Sequence, residues 1–239
     1  VATGTVLSLH RWPVKSFAGE PARALRLDRR GVAGDRAHAV YGEWRGRPRR
    51  LTARSTPRLL AWEAAYPEAP DDALDPGAVP RPRVTAPDGA VYEWGDPALA
   101  EALAHDLGRP VKLRRSVRLM QDRTDTVHVT VEATRRALAA QLGHPMDLRR
   151  FRTNLHVELD AEPFAEEGWR GRRLRVGDAE LELRSACVRC DMPNRDPDTL
   201  VKDTSLMRWL AREHRALFGL IGRAAEPAVV RVGDRVELL

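Results

Sequence analysis

Short alternating segments cut by glycine and proline dominate this chain, and they limit what it can fold into. Residues 179–185 (Ala-Glu-Leu-Glu-Leu-Arg-Ser) place apolar and polar side chains on opposite faces, the period-two pattern of a half-buried strand. Further short strands are predicted at Val1–His10, Leu25–Leu27, Ala37–Tyr41, Leu51–Arg54, Leu59–Ala65, Arg83–Ala86, Ala90–Trp94, Val111–Val117, Leu155–Leu159, Ala228–Arg231 and Arg235–Leu239. In the first, Leu7 and Leu9 are expected on one face and Val6, Ser8 and His10 on the other. Gly31–Arg36 reads as a turn, and Pro87-Asp88-Gly89 as a hairpin, because glycine accepts positive φ. Arg-Val-Gly-Asp occurs at 175–178 and again at 231–234, and both copies read as hairpin turns. Tyr66–Pro82, rich in Pro, Asp and Ala, is expected to be an exposed excursion.

Helices are few. Asp96 can cap one that Pro97 starts and Gly108 ends, with Leu99, Leu103 and Leu107 recurring every four residues. Others are predicted at about Val131–Leu142, ended by Gly143, and at Leu206–His214. Many short strands with few helices predict an α+β, mostly β architecture, of barrel type.

The length, 239 residues, suits one large domain or two small intertwined ones, and 43% hydrophobic residues can build a core. No apolar run approaches a membrane span and no signal peptide is visible at Val1–Ser16, so a soluble, cytoplasmic protein with no membrane partner is expected. The net charge is +6, and only three of the 40 basic residues are Lys (Lys15, Lys112, Lys202). A basic surface can bind nucleic acid. Here the charge is dispersed among 34 acidic residues, aromatics make up 5%, and no nucleic-acid-binding motif is present. A small anionic ligand or an acidic protein fits this balance better than nucleic acid.

The only two cysteines stand three apart in Cys187-Val188-Arg189-Cys190, at the end of a predicted strand and before the loop sequence Asp191–Thr199. Arg189 beside them favours the thiolate, the form that binds metals and attacks electrophiles. Spacing alone leaves their role open. Inert thiols, a disulfide, and a zinc site lacking a second Cys or His pair are all compatible with it. Pro193 and Pro197 oppose the helix that a thioredoxin-type motif would open.

Several separated segments then form one pattern. Pro13-Val14-Lys15-Ser16, Gly34-Asp35-Arg36, Leu51-Thr52-Ala53-Arg54, Phe151-Arg152-Thr153-Asn154, the cysteine segment, Asp196-Pro197-Asp198-Thr199, and Phe218-Gly219 ahead of Val232-Gly233-Asp234 occur in this order across nearly the whole chain. In them the chain resembles MOSC-domain proteins with an N-terminal MOSC-associated β-rich region, a group that includes the mitochondrial amidoxime-reducing component and its bacterial relatives. The resemblance implies a MOSC-type β-barrel core with an N-terminal region at 1–112 and a MOSC domain at 113–239. It also implies a molybdenum cofactor, a pterin dithiolene carrying the metal and a phosphate. Cys190 corresponds to the family's metal-ligating and catalytic thiolate, and soft sulfur suits such a centre. Lys15, Ser16, Arg36, Arg54, Thr124, Arg152, Asn154, Val188 and Arg189 correspond to positions around the pterin and its phosphate. Three sites, four residues in all, depart from the family pattern. Thr153 replaces a common Pro, Leu200 a usual Gly, and Leu220-Ile221 a polar or aromatic pair.

The implied activity is reduction of small N-hydroxylated compounds (amidoximes, hydroxylamines, N-hydroxy bases). The alternatives are a sulfur carrier or sulfurtransferase acting through a cysteine persulfide, and a non-enzymatic cofactor binder. With no cysteine set for an iron–sulfur cluster and no Gly-rich flavin or dinucleotide fingerprint, electrons are expected from a separate donor protein. Asp196 and Asp198 are candidate proton carriers, with turn formation as the competing role. His128 and His156 are expected to be structural.

Overall fold

A closed barrel of seven strands forms the centre of the molecule. The computed structural model describes residues 2–67, 78–116 and 126–239. Around the barrel the order is Leu155–Leu159, Val127–Val131, Leu217–Ala224, Ala179–Val188, Arg173–Val176, Arg235–Leu238 and Thr3–Arg11, which closes back onto Leu155–Leu159. Strands from both ends of the chain therefore share one hydrogen-bond ladder. Within the barrel, Val127–Val131 and Leu155–Leu159 are the one parallel pair among the described residues, and the helix Glu132–Leu142 makes the crossover such a pair requires. Val, Leu and Ala side chains from alternate positions fill the interior.

A second apolar core belongs to the N-terminal half. Val14, Phe17, Val40, Leu51, Leu59, Trp62 and Val84 pack there against Leu99 and Leu103 of the helix Pro97–Leu107. Two three-stranded sheets surround it, one of His38–Trp44, Arg47–Arg50 and Lys112–Arg115, the other of Glu63–Ala65, Arg83–Thr85 and Val91–Glu93. The helix starts and stops as its sequence predicts. Asp96 accepts a hydrogen bond from the Ala98 N–H, and Gly108 takes the left-handed φ of 64°. The third helix is Ser205–His214.

Several local expectations are corrected. A β-bulge between Val6 and Ser8 shifts the phase of the first strand, so Val6 and Leu9 are both buried while Leu7 faces out. Leu51–Arg54 is a turn, closed by the Thr52 carbonyl accepting from the Ser55 and Thr56 N–H groups. In Leu59–Ala65 only Glu63–Ala65 is strand, because Pro57 starts a 3-10 turn running to Ala61. The second Arg-Val-Gly-Asp is no hairpin. Ala228–Arg231 pairs with Ala24–Asp28, whereas Arg235–Leu238 enters the barrel, and Gly233 and Asp234 bond to Val6 across the bulge. Within the predicted excursion, residues 68–77 lie outside the described residues. Of its described ends, Pro67, Ala78, Pro80 and Arg81 are exposed as expected, whereas Tyr66 and Val79 are buried and the Tyr66 hydroxyl donates to the Gly34 carbonyl at 3.0 Å. Among the described residues no helix is long and apolar enough to cross a membrane.

Candidate functional site

The strand Ala179–Val188 carries Cys187 near its end and delivers Cys190 just beyond it, where the ladder with Leu217–Ala224 slips at Ala186/Val188. Both thiols are free, half-buried, and face one cavity of about 300 Å³. Three loops complete the wall: 15–16 after the first strand, 50–54 after the Arg47–Arg50 strand, and 151–152 before Leu155–Leu159. Six cationic side chains line the cavity (Lys15, Arg36, Arg50, Arg54, Arg152 and Arg189), and no carboxylate does so among the described residues.

The loops are held by buried polar groups. The Trp12 N–H and Asn154 Nδ2 donate to Asp35 Oδ1 at 2.7 and 3.1 Å, and Arg36 pairs with the other oxygen of that buried carboxylate. Arg36 Nη2 also donates to the Arg152 carbonyl at 3.3 Å. Arg152 donates to the Phe17 carbonyl at 2.6 Å, and its guanidinium lies 4.2 Å from the centre of the Trp12 ring. Ser16 Oγ accepts from the Ala53 N–H at 2.9 Å, which joins two of the loops. Ser16, Arg36 and Arg152 all have left-handed φ values, of 74°, 48° and 54°. Such a conformation costs an L-residue roughly 1–2 kcal/mol, and these bonds hold it in place.

Arg189 reaches back beneath the cysteines. Its Nη1 lies 3.0 Å from Cys187 Sγ and 3.2 Å from His128 Nε2, while Nη2 donates to the Phe151 carbonyl at 2.7 Å. Burial, then the Arg189 and Arg36 charges, push the pKa of His128 well below its usual value. The ring is therefore neutral, and its Nε2 lies between Arg189 Nη1 at 3.2 Å and the Phe218 carbonyl oxygen at 3.3 Å. Gly219 makes this packing possible, since a Cβ there would lie 2.6 Å from the Val129 carbonyl oxygen and 2.7 Å from His128 Nε2.

Of the residues named from sequence, Lys15, Ser16, Arg36, Arg54, Arg152, Val188, Arg189 and Cys190 all line this one cavity. Asn154 does not. Its amide is consumed by the His10 carbonyl, Asp35 and the His128 N–H, so it braces the wall from behind. Thr124 lies outside the described residues. The guanidiniums of Arg36 and Arg152 are largely committed to the protein itself. Asp196 and Asp198 act as turn and clamp residues. Asp196 accepts from Thr199 and Asp198 N–H groups and pairs with Arg150, while Asp198 takes a two-pronged contact from Arg149. Among the three departures, only Ile221 faces the cavity. Leu220 points into the barrel core, and Leu200 occupies a left-handed φ of 60°, the conformation for which glycine is suited. His156, as expected, is structural, bonded to Thr130 and Glu132 in the interior. Sequence reasoning missed Arg50, Thr52, Thr126, Phe151 and Met192 as lining residues and did not give His128 its place beside the cysteines. Arg50 sits in an arginine-rich run, where nothing distinguishes it from its exposed neighbours.

Comparison with known proteins is consistent with this architecture. The MOSC domain model matches residues 116–237, and the model of the MOSC N-terminal beta barrel domain matches residues 3–87. Among solved structures, the YuaD protein from Bacillus subtilis aligns over 100% of this chain and 97% of its own, with a TM-score of 0.53 at 14% identity, a likeness of fold. YiiM from Geobacillus stearothermophilus aligns over 47% of this chain and 53% of its own at 13% identity, with a TM-score of 0.38. No curated protein matches the chain. With the domain model covering more than half of the chain, including the cysteine segment and every barrel strand but Thr3–Arg11, the chain belongs to the MOSC-domain family, which is associated with molybdenum-cofactor binding.

Proposed function

We propose that this protein is a molybdenum-cofactor-dependent oxidoreductase that reduces N-hydroxylated compounds. One observation carries the reading: two accessible thiols open onto a cavity lined by six cations and no carboxylate among the described residues. That is the complement of a group that presents a soft metal at one end and a phosphate at the other. Nε of Arg189 adds a second sign of fit, being buried with no hydrogen-bond partner among the described residues. Among those residues no group of three or more His, Cys, Asp or Glu is placed to hold a metal ion.

In this reading Cys190 is the protein's ligand to the metal. Lys15 supplies a point charge for the phosphate, while Ser16, Arg36 and Arg152 shape the loops that receive the pterin. The bound cofactor supplies the oxygen-accepting metal and the two-electron chemistry. The balanced reaction converts R–NOH, two electrons and two protons into R–NH and water. Arg189 keeps the Cys187 side of the cavity positive, which favours anionic over cationic occupants. A separate electron-donor protein completes the cycle.

Elemental analysis of protein made in a cofactor-competent host should find molybdenum near one per chain, and a chemical donor should then drive reduction of benzamidoxime. Molybdenum-replete protein that reduces no N-hydroxylated compound would retire the proposal. One contact favours a second reading. Arg189 Nη1 donates to Cys187 Sγ at 3.0 Å, so a half-buried sulfur faces the cavity with a hydrogen-bond donor already on it, a setting that persulfide-based sulfur transfer could also use. A persulfide transferred from Cys187 by metal-free protein would support that alternative.

A further inference from the structure

The six cations of the cavity are not equally committed to the protein. Arg36 is matched by Asp35, Arg152 is spent on backbone carbonyls, and Arg189 serves Cys187, His128 and Phe151. Arg50 and Arg54 differ. Neither guanidinium has a hydrogen-bond or ion-pair partner among the described residues, and Nε of Arg50 is buried. Burying part of a cation without a partner costs free energy that an incoming anion recovers.

Their placement is also fixed. Arg50 ends a strand paired with Tyr41, and the next residue, Leu51, is buried and donates its N–H to the Val40 carbonyl at 2.9 Å. Ser16 Oγ then holds the Ala53 N–H, so the stretch between is anchored on both sides. Thr52 adds a hydroxyl to the same wall. Two guanidiniums and a hydroxyl on a braced turn make a preorganised receptor for a planar or tetrahedral oxyanion.

We propose that Arg50 and Arg54, with Thr52, form an anion subsite at the rim of the cysteine cavity that takes a carboxylate or phosphoryl group of the substrate. The natural substrate is then an N-hydroxylated compound bearing an anionic group. This rests on the reductase reading for the reacting end of the molecule, and it assigns Arg54 to substrate instead of cofactor. The other source of the same chemistry is the phosphate of the cofactor.

Binding by cofactor-loaded protein, with no electron donor present, separates these cases. Calorimetry compares benzamidoxime with its 4-carboxy derivative, with inorganic phosphate as competitor. Wild type should bind the carboxylate compound at least tenfold more tightly, and phosphate should erase that preference. Arg50→Gln and Arg54→Gln should each remove most of it, leaving affinity for the neutral compound and molybdenum content unchanged, while Arg50→Lys restores part. Arg54 is exposed, so its variant reports even where Arg50→Gln does not fold. Equal wild-type affinities for the two compounds would overturn the subsite. Loss of molybdenum from Arg50→Gln would overturn it too, by giving Arg50 to the cofactor's phosphate. If neither compound turns over when a donor is added but the carboxylate preference persists, the reductase reading fails and the subsite stands.

Discussion

Replacing Glu166 with Gln tests the electrostatic reading of the interior. Glu166 lies on the short turn Ala165–Gly168 packed against the barrel, is 2% exposed, and accepts from Thr134 Oγ1 at 2.7 Å. Burial raises its pKa from 4.5 to about 7, with the Thr134 hydrogen bond opposing the shift. A carboxyl whose folded pKa is raised holds its proton longer in the folded state than in the unfolded one. Its contribution to stability is thus fully present below about pH 4.5, declines as pH rises, and is gone above about 7. At about 1.4 kcal/mol for each pH unit between those values, the total is about 3 kcal/mol. Glutamine has a similar shape and no proton to lose. Urea unfolding of wild type and Glu166→Gln from pH 4 to 8 isolates the effect, since every other titrating group is common to both. The variant should gain about 3 kcal/mol relative to wild type across that range, ending as the more stable protein at pH 8. A difference that stays constant with pH would refute a buried, proton-retaining Glu166.

The remaining predictions concern the cavity and its supports. Cys190→Ser should lose bound molybdenum and reductase activity while keeping its fold, whereas Cys187→Ser should retain the metal and lower thermal stability; equal metal loss in both would remove the distinction between the thiols. Asp35→Ala should destabilise the protein by about 3–5 kcal/mol in denaturant unfolding, because it strands the buried Arg36 charge and frees the Trp12 N–H; a loss under about 1 kcal/mol would show that water replaces the carboxylate. Arg45→Asn should raise stability by roughly 0.5–1 kcal/mol, since Arg45 and Gly46 have φ of 51° and 74° in a two-residue hairpin turn that favours Asn-Gly. A melting temperature that falls instead would show that the stacking of Arg45 on Trp44 outweighs the backbone gain.

Much of the architecture is legible in the chain itself, for a local reason. Strand alternation, the Asp96-Pro97 start and the Gly108 and Gly143 stops depend on side-chain periodicity and backbone freedom within a few residues. The cysteine pair at a strand end and the ordered set of short motifs were also visible, and they brought eight candidate residues to one cavity. Long-range pairing decided the rest. The first strand pairs with residues 155–159 on one side and 235–237 on the other, and the bulge at Val6/Ser8 puts Leu7 and Leu9, expected on one face, on opposite sides. The two Arg-Val-Gly-Asp segments are identical in letters, yet only one is a hairpin, because their flanking strands find different partners. Asn154 was drawn from its motif toward the cofactor, but three partners distant in sequence consume its amide. Arg50 was hidden among arginines that look alike in one dimension. Burial and pairing are properties of neighbours brought together by the fold, and those alone distinguish a solvated arginine from one that awaits an anion.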